Sequence, residues 1–259
     1  MVGVLSTLMA AFLVRPSSPG TLHLSARSKE GLMLVNRPGS SIGWPRPCFR
    51  GTRLFMQDLS LRSYWDRLYS SEGRPMEWHL EFDSLVDTLE CVLGPASPST
   101  HVLMVGCGNS NLSESMYDHG WRHITNIDFS EECIRSCKWA EEQREAKGRS
   151  RYFGMSWMVM DACDMTFDDG TFHGAVDKGT MDAITCSEGF DWYLTRMAKE
   201  LVRVLRPGGR WVCVSFTPPS VALPLLREAE GWQVEVKDLS TFRLYIGTKG
   251  KVIGTQDMP

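Results

Sequence analysis

Apolar residues recur along this chain with two different periods, and the change between them marks its organisation. Within residues 61–69 they fall three and four positions apart, and residues 82–93 repeat that spacing until Gly94 and Pro95 interrupt it. Such spacing predicts two amphipathic helices. From residue 101 onward, short apolar runs alternate with further helical segments, which is typical of buried parallel strands connected by helices.

The predicted strands are short runs rich in Val, Ile, Met and Trp. They cover residues 101–105, 123–128, 157–160, 174–176 and 210–215. The helices among and after them cover a segment that ends at about His119 and residues 131–147, 192–205 and 221–230. Two alternating runs, 232–237 and 242–247, then predict an antiparallel hairpin. We therefore expect an α/β fold of Rossmann-like type, with a doubly wound, mostly parallel seven-stranded sheet that ends in an antiparallel C-terminal hairpin.

Composition separates residues 1–57 from the rest of the chain. They hold ten Ser or Thr, five Pro, six Gly, and seven basic residues against one acid, without a sustained apolar period. This composition is typical of an organellar transit peptide, and the alternative is an extension without a targeting role. A secretory signal fits less well because the first charge, Arg15, follows the apolar stretch. We divide the chain into an extension (1–57), a folded domain (58–250) and a tail (251–259), and expect a mitochondrial location if the extension directs import and a cytoplasmic one otherwise.

The folded domain is acidic, and this limits its partners. The whole chain has a formal net charge of -3, and the extension carries six excess positive charges, so the net charge beyond residue 57 is -9. No nucleic-acid partner is expected, because neutralising phosphates requires a basic surface. No membrane association is expected either, because no apolar run reaches the ~20 residues of a membrane span. A basic protein surface suits this domain better, and the sequence carries no signal for an oligomeric state.

Eight cysteines are spread through the predicted helices and strands, without the framework of a small disulfide-rich protein. We interpret them as reduced thiols. Cys133 and Cys137 stand four apart on one helical face, a spacing that brings two metal ligands together, but no Cys-x-x-Cys or His-x-x-x-His pair accompanies them. We therefore predict no metal site.

The residues that follow the predicted strands have the chemistry of a nucleotide site, since ligands of a doubly wound sheet bind beyond the carboxyl ends of its strands. Gly106 and Gly108 follow the first strand and allow a tight turn and a close approach to a ligand. Asp128 ends the second strand, where a carboxylate can accept hydrogen bonds from both hydroxyls of a ribose. Asp161 and Ala162 follow the third strand, where an acid can bind the amine of adenine.

Two nucleotide ligands fit this arrangement, and two features choose between them. A dinucleotide favours glycine at the third position of the glycine fingerprint, and Asn111 stands there. An antiparallel hairpin after five parallel strands is the ending of S-adenosylmethionine methyltransferases rather than of dehydrogenases. We therefore favour S-adenosyl-L-methionine as the cofactor over a nicotinamide dinucleotide.

Three motifs carry a resemblance to a known family. They are YWDRLY at 64–69, GCGNS at 106–110 and DKGTMDA at 177–183. Over about residues 63–249 the chain resembles the class I methyltransferase-like family that contains the elongation factor 1-alpha lysine methyltransferases and the mitochondrial citrate synthase lysine methyltransferase. Met104 stands where many class I methyltransferases have an acid, so one common contact to the methionine part of the donor is absent.

The resemblance implies a role for each residue of the donor site. Aromatic side chains would cover the donor, glycines would lie along its methionine part, strand-end residues would hold its ribose and adenine, and a lysine would contact it from the fourth strand. The aromatic residues are Trp65, Tyr69 and Trp78, and the glycines are Gly106 and Gly108. Asp128 and Phe129 would hold the ribose, Asp161 and Ala162 the adenine, and Lys178 is the lysine of the fourth strand. An aromatic face near a sulfonium adds a cation–π attraction of about 0.5–2 kcal/mol.

The resemblance also implies a protein lysine as the methyl acceptor. A lysine amine is protonated at neutral pH and must lose its proton before it attacks the methyl group. A carboxylate beside the methyl group can orient the ammonium, and burial can lower the amine pKa. Asp177 and, second, Asp182 are the catalytic candidates, because they follow the fourth predicted strand.

Two other functions stay open. One is a class I methyltransferase that acts on a small molecule or on another protein side chain, and the other is a module that binds the donor without turnover. The short inserts leave little material for a lid over a small substrate. The presence of Gly106, Asp128 and Asp161 argues against a loss of donor binding. We favour a protein lysine methyltransferase and expect an acceptor of the elongation factor 1-alpha or the citrate synthase type; no motif encodes the number of methyl groups added.

Overall fold

The computed structural model describes residues 61–71, 77–149, 152–239 and 241–250, together with two dipeptides, Leu24–Ser25 (β1) and Met33–Leu34 (β2), which pair as antiparallel strands. The rest of the predicted extension and the whole predicted tail, 251–259, lie outside the described residues. The transit-peptide interpretation therefore stays a prediction.

The folded domain alternates strands and helices in the order that the sequence predicts. Its helices are α1 (Arg62–Ser71), α2 (Phe82–Leu93), α3 (Leu112–His119), α4 (Glu131–Ala146), α5 (Thr180–Thr185), α6 (Phe190–Val204) and α7 (Pro219–Leu226). Its strands are β3 (His101–Val105), β4 (His123–Asp128), β5 (Met155–Val159), β6 (Phe172–Lys178), β7 (Leu205–Ser215), β8 (Trp232–Leu239) and β9 (Phe242–Lys249).

The seven strands from β3 to β9 form one sheet in the order β5-β4-β3-β6-β7-β9-β8. The five strands from β5 to β7 in that order are parallel, and β9 pairs antiparallel with both β7 and β8. The predicted doubly wound sheet with a C-terminal hairpin is confirmed. The chain winds outward in opposite directions from β3 and β6, so the crevice for a ligand opens beyond the carboxyl ends of these two neighbouring strands.

The sheet is buried on both faces, as its apolar strands predict. In β3 the side chains alternate between two cores: Leu103 and Val105 pack on one face with α6, while Val102 and Met104 pack on the other face with α2. All four side chains are buried. The central strand is therefore held from both sides, and its carboxyl end is a fixed platform for the loop that follows.

Besides shifts of a few residues at other element ends, three differences from the sequence prediction are larger, and two of them bear on the site. Strand β6 extends from Phe172 to Lys178 rather than over residues 174–176, so Asp177 and Lys178 belong to the strand itself. Helix α5 was not predicted, because its six residues are too few for an apolar period to show. Strand β7 begins at Leu205, directly after helix α6, and includes the Pro-Gly-Gly segment that we expected only to end the helix.

Within the described ranges, every helix is too short or too polar to cross a bilayer.

Candidate functional site

A cavity of about 300 Å³ opens beyond the carboxyl ends of the parallel strands. It is bounded by the loop after β3, the end of β4, the loop after β5, the end of β6 with α5, and the aromatic helix α1. All ten residues predicted to bind the cofactor line this cavity. They are Trp65, Tyr69, Trp78, Gly106, Gly108, Asp128, Phe129, Asp161, Ala162 and Lys178.

The loop after β3 turns tightly under the cavity. Gly106 and Gly108 have φ angles of 58° and 54°, a conformation that favours glycine. A Cβ atom at Gly106 would lie 2.0 Å from the Oγ1 atom of Thr180. Thr180 Oγ1 donates a hydrogen bond to the carbonyl oxygen of Val105, 2.9 Å away, so it is fixed in that position. Glycine is therefore required here by both backbone conformation and contact with α5.

Asp128 connects this glycine loop to helix α4. Its Oδ2 accepts a hydrogen bond from the backbone N–H of Gly108 at 3.0 Å, and its Oδ1 accepts one from the backbone N–H of Ser130 at 2.9 Å. Burial raises the pKa of Asp128 to about 6, although these backbone hydrogen bonds oppose the rise. The carboxylate is fixed but still lines the cavity. Each oxygen keeps a lone pair for a hydroxyl group, as a ribose requires.

The third strand end offers a second acid and a small residue. Asp161 and Ala162 line the cavity two and three residues beyond the end of β5. The Oδ1 atom of Asp161 accepts a hydrogen bond from the backbone N–H of Cys163 at 2.8 Å, which orients the carboxylate. Its second oxygen can accept from a ligand amine.

An aromatic wall closes the cavity on the amino-terminal side. Trp65 and Tyr69, one helical turn apart on α1, stack with ring centroids 5.9 Å apart, and Trp78 lies 5.9 Å from Trp65. The side chains of Trp65 and Tyr69 are buried. Desolvation raises the pKa of Tyr69 well above its ordinary value, so the hydroxyl stays neutral. These rings therefore belong to the hydrophobic core and also line the cavity.

The wall is attached to the sheet through Glu77, a residue that sequence analysis did not single out. Its Oε2 accepts a hydrogen bond from Lys178 Nζ at 2.9 Å and one from Ser110 Oγ at 2.8 Å, and its Oε1 accepts one from the backbone N–H of Asn111 at 2.6 Å. Lys178 Nζ also donates to the carbonyl oxygen of Trp78 at 2.7 Å. Burial lowers the pKa of Lys178, and the charge of Glu77 opposes that shift. Lys178 thus lines the cavity while it holds the wall.

The two predicted catalytic acids are not among the residues that line the cavity, which corrects their expected position. Asp182 is buried on α5 and its Oδ1 accepts hydrogen bonds from Ser215 Oγ, from the backbone N–H groups of Phe216 and Thr217, and from Thr217 Oγ1, at 2.6–3.1 Å. Its Oδ2 lies 2.8 Å from His79 Nε2. These partners occupy the carboxylate, so its place in the structure is that of an anchor between α5, β7 and the amino-terminal segment.

Asp177 is equally enclosed. It lies within β6, is fully buried, and its Oδ1 accepts from the backbone N–H groups of Thr180 at 2.9 Å and Met181 at 3.4 Å. Burial and the charge of Asp182 raise the pKa of Asp177 to about 7. Its carboxyl group shapes the β6–α5 turn and has no face on the cavity. The sequence prediction placed it at the rim because β6 was expected to end at residue 176, two residues before its end at Lys178.

The other residues that line the cavity were given no cofactor-binding role from the sequence. They are Arg62, Met104, Cys107, Ser110, Leu112, Met160, Cys163, Gly179, Thr180, Ala183, Ile184, Ser187 and Tyr193. Ser187 and Tyr193 belong to the α5–α6 region, which no motif marks. Cys107 carried a signal, since it stands between the two glycines of the loop.

Cys107 meets the thiols of Cys133 and Cys137 below this loop. The three sulfur atoms all lie within 4.8 Å of one another. Hydrogen bonds from the Cys107 and Cys133 thiols lower the pKa of Cys137 to about 4, against the effect of burial. Sequence spacing brought Cys133 and Cys137 together but gave no indication of the third thiol.

Known proteins resemble this chain in both sequence and fold. Residues 103–213 match the family model described as a methyltransferase domain. A Danio rerio protein named "eEF1A lysine and N-terminal methyltransferase" is 37% identical over 187 residues, which are 71% of this chain and 25% of that protein. A Bos taurus protein named "EEF1A lysine methyltransferase 4" is 27% identical over 212 residues, 75% of this chain and 78% of that protein.

A solved structure supports the fold alone. The [4+2]-cyclase SpnF superimposes with a TM-score of 0.56 at 15% identity, over 75% of this chain and 97% of that one. Its name shows that one fold can serve different reactions. The chain spans about a quarter of the length of the first relatives it matches, the eEF1A lysine and N-terminal methyltransferases. On the sequence matches and the sheet order together, residues 103–213 lie in a methyltransferase domain, and the chain is similar to eEF1A lysine methyltransferases over 71–75% of its length.

Proposed function

We propose that this protein transfers a methyl group from S-adenosyl-L-methionine to a lysine side chain of a protein, and that elongation factor 1-alpha is the acceptor. The observation that carries the proposal is the position of Asp128. Its carboxylate is oriented by two backbone N–H groups, faces the cavity, and stands beside the close-approach glycine Gly106.

The described residues fit this donor in three ways. Gly106 and Gly108 both line the cavity in a backbone conformation that favours glycine, so an elongated ligand can approach the backbone of this loop closely. Asp128 and Asp161 offer oxygens at two places along one cavity, as the hydroxyls of a ribose and the amine of an adenine require. The rings of Trp65 and Tyr69 form the facing wall, where a sulfonium gains cation–π attraction.

S-adenosylmethionine supplies an electrophilic methyl carbon with a neutral thioether as leaving group. The work of the chain is to align an amine with that carbon and to exclude water, and such positioning can supply roughly 7–11 kcal/mol of the barrier. Trp65, Tyr69 and Trp78 exclude water from one side of the cavity. The carboxylates of Asp128 and Asp161 are committed to the donor, and Asp177 and Asp182 are enclosed. Loss of the amine proton therefore depends on desolvation of the acceptor amine rather than on a buried aspartate.

The mouth of the cavity has the chemistry of a surface that accepts a cationic side chain. Tyr193 lines the cavity and is 40% exposed, and Trp192 beside it is 58% exposed. The exposed acid Glu188 lies in the turn before α6, and the exposed acid Asp191 lies in the first turn of α6. Aromatic faces and acids together attract an ammonium group and the basic surface around it. This mouth supports a protein acceptor over a small molecule.

The relatives' names favour elongation factor 1-alpha among protein acceptors. The first relatives are named for both lysine and N-terminal methylation. The test must therefore identify which amino group of the acceptor is methylated and not only measure the amount of methyl groups transferred. Citrate synthase is the comparison acceptor, because the sequence resemblance includes an enzyme of that type. The location of this protein in the mitochondrion or the cytoplasm stays a prediction that depends on residues 1–57.

The test incubates the purified full chain with methyl-tritiated donor and either elongation factor 1-alpha or citrate synthase, followed by mass spectrometry of the labelled acceptor. We expect label on one or more lysines of elongation factor 1-alpha. The Asp128→Ala variant should abolish it, whereas the surface variant Asp118→Ala should retain it, since Asp118 does not line the cavity and its side chain is 59% exposed.

Two results would separate failure of the donor from failure of the acceptor. If calorimetry detects no binding of S-adenosylmethionine to the wild-type chain, the donor assignment is wrong. If the donor binds but the label appears only on citrate synthase, on the N-terminus of elongation factor 1-alpha, or on small molecules of a cell extract, the acceptor assignment is wrong and the donor site stands.

A further inference from the structure

Three thiols from two separate chain segments converge directly below the cavity. Cys107 lies in the loop after β3, and Cys133 and Cys137 lie one turn apart on α4. Their sulfur atoms are mutually within 4.8 Å. Cys133 is fully buried, and Cys107 lines the cavity. Cys137 is partly buried, so the cluster is reachable by a small ion while most of it is shielded from solvent.

The framework around the cluster is rigid. The backbone N–H of Cys107 donates to the carbonyl oxygen of Ile127 on β4 at 2.9 Å, which fixes the loop. The start of α4 is fixed by Ser130, whose Oγ accepts from the backbone N–H of Cys133 at 3.2 Å. Ser130 Oγ also donates to Asp66 Oδ1 on α1 at 2.5 Å. Both ligand-bearing segments are thus held by hydrogen bonds that do not involve the sulfur atoms.

The upper limit of 4.8 Å on the sulfur separations is close to the separation that a thiolate-bound ion requires. With a zinc–sulfur bond of about 2.3 Å, thiolates around a tetrahedral ion stand roughly 3.8 Å apart, so a separation of up to 4.8 Å is closed by small side-chain rotations. Thiolates prefer soft or borderline ions such as Cu(I) and Zn(II) over Mg(II) or Ca(II). Three protein ligands leave a tetrahedral ion one open position.

We propose that Cys107, Cys133 and Cys137 together bind one thiophilic metal ion, with Zn²⁺ as the probe ion, and so connect the loop beneath the donor cavity to helix α4. Binding forms three metal–sulfur bonds and releases the thiol protons to solvent. The proposal does not depend on methyl transfer, because the thiols stand in the fold whether or not a donor is bound.

The test uses the untagged full chain in a phosphine reductant, which keeps thiols reduced, and a chromophoric chelator that competes for Zn²⁺. We expect one equivalent of Zn²⁺ to be withheld from the chelator by the wild-type chain. Co²⁺ in place of Zn²⁺ should give the visible absorption bands of a tetrahedral thiolate complex. The melting temperature should rise when Zn²⁺ is added, because an ion that binds only the folded chain stabilises it.

The variants are chosen so that loss of binding can be told from loss of folding. Cys137→Ser and Cys133→Ser each remove one ligand with little change of volume, and each should weaken Zn²⁺ binding by at least about 100-fold, since loss of even an outer-shell partner costs 10–100-fold. Cys91→Ser is the matched control, because Cys91 is an exposed cysteine outside the cluster. Circular dichroism and the melting temperature without metal establish that each variant is folded.

Three results would overturn the proposal. The first is the absence of stoichiometric Zn²⁺ binding by the reduced wild-type chain. The second is binding that persists in folded Cys133→Ser and Cys137→Ser chains or that is lost in Cys91→Ser. The third is a cobalt spectrum without thiolate bands, which would locate the ion at nitrogen or oxygen ligands elsewhere.

Discussion

Four aspartates follow or end the central strands, and they divide into two pairs with different surroundings. Asp128 and Asp161 face the cavity, and the chain supplies two hydrogen bonds to the first and one to the second. Asp177 and Asp182 are enclosed, and Asp182 alone has five partners. The comparison teaches that a free oxygen is not sufficient for ligand binding: one oxygen of Asp177 has no hydrogen-bond partner among the described residues, yet only Asp128 and Asp161 of the four line the cavity.

The largest expected effect comes from the enclosed pair, and it concerns stability. Asp182→Ala removes the acceptor of Ser215, Phe216, Thr217 and His79 and leaves their buried donors without it. Breaking a buried charged network of this kind costs about 3–5 kcal/mol. We expect the free energy of unfolding, measured by urea denaturation, to fall by at least about 3 kcal/mol. Asp118→Ala, on the surface, should change it by no more than about 0.5 kcal/mol.

A loss below about 1 kcal/mol in Asp182→Ala would remove the distinction between the two pairs. In that case the hydrogen bonds around Asp182 would be replaceable by water, and its carboxylate would be available for chemistry after all.

The cavity pair should affect the donor more than the fold. Asp128→Asn keeps the size of the side chain but exchanges one acceptor oxygen for a donor, so it cannot accept from two ribose hydroxyls and two backbone N–H groups. Loss of hydrogen bonds to a charged group, worth about 1.5–3 kcal/mol, predicts that S-adenosylmethionine affinity falls by about 100-fold. Isothermal titration calorimetry measures the affinity, and urea denaturation should give a smaller stability loss than Asp182→Ala. Equal donor affinity in wild type and variant would contradict the assignment of Asp128.

The smallest expected effect is a pH dependence that Asp177 imposes. Burial and the Asp182 charge raise the pKa of Asp177 to about 7, above its ordinary value, so the folded chain binds more protons than the unfolded chain between about pH 4 and 7. The contribution of Asp177 to stability is therefore fully present below pH 4 and is lost as the pH rises towards 7 and beyond.

Asp177→Asn removes this titration, so its stability should fall less than that of the wild type between pH 4.5 and pH 8. The slopes of the two profiles should differ by on the order of 1 kcal/mol per pH unit. The amide hydrogens of Asn lack a partner and cost roughly 1–3 kcal/mol at every pH, so they do not change the slope. Urea denaturation of both chains at each pH measures it. Parallel pH profiles for the two chains would show that Asp177 is charged throughout.

The sequence predicted the sheet and the donor side of the cavity well, for a physical reason. Buried parallel strands require apolar runs, and a nucleotide requires glycines and acids at their ends. Runs such as 101–105 and residues such as Gly106 and Asp128 can therefore be recognised from a short stretch of sequence. The prediction failed where long-range contacts decide. The charges of Asp177 and Lys178 ended the expected strand, whereas Glu77 and the interior hydrogen bonds allow β6 to continue through both.

Other features were hidden because no local pattern records them. Helix α5 has six residues, too few to show an apolar period. Glu77 gains its importance from partners 33, 34 and 101 residues away in sequence. The cluster below the glycine loop depends on the approach of Cys107 to α4, which only the packed sheet determines.

The contacts of Glu77 also bear on how this protein could be altered. The aromatic wall does not belong to the sheet. Hydrogen bonds from Lys178, Ser110 and Asn111 to Glu77 hold the segment that carries Trp78. A different amino-terminal segment with a carboxylate at the position of Glu77 would find the same three hydrogen-bond donors, and the seven-stranded sheet would not have to change. Exchanging this segment is therefore a way to redesign selectivity for the methyl acceptor while Asp128 and Asp161 continue to bind the nucleoside.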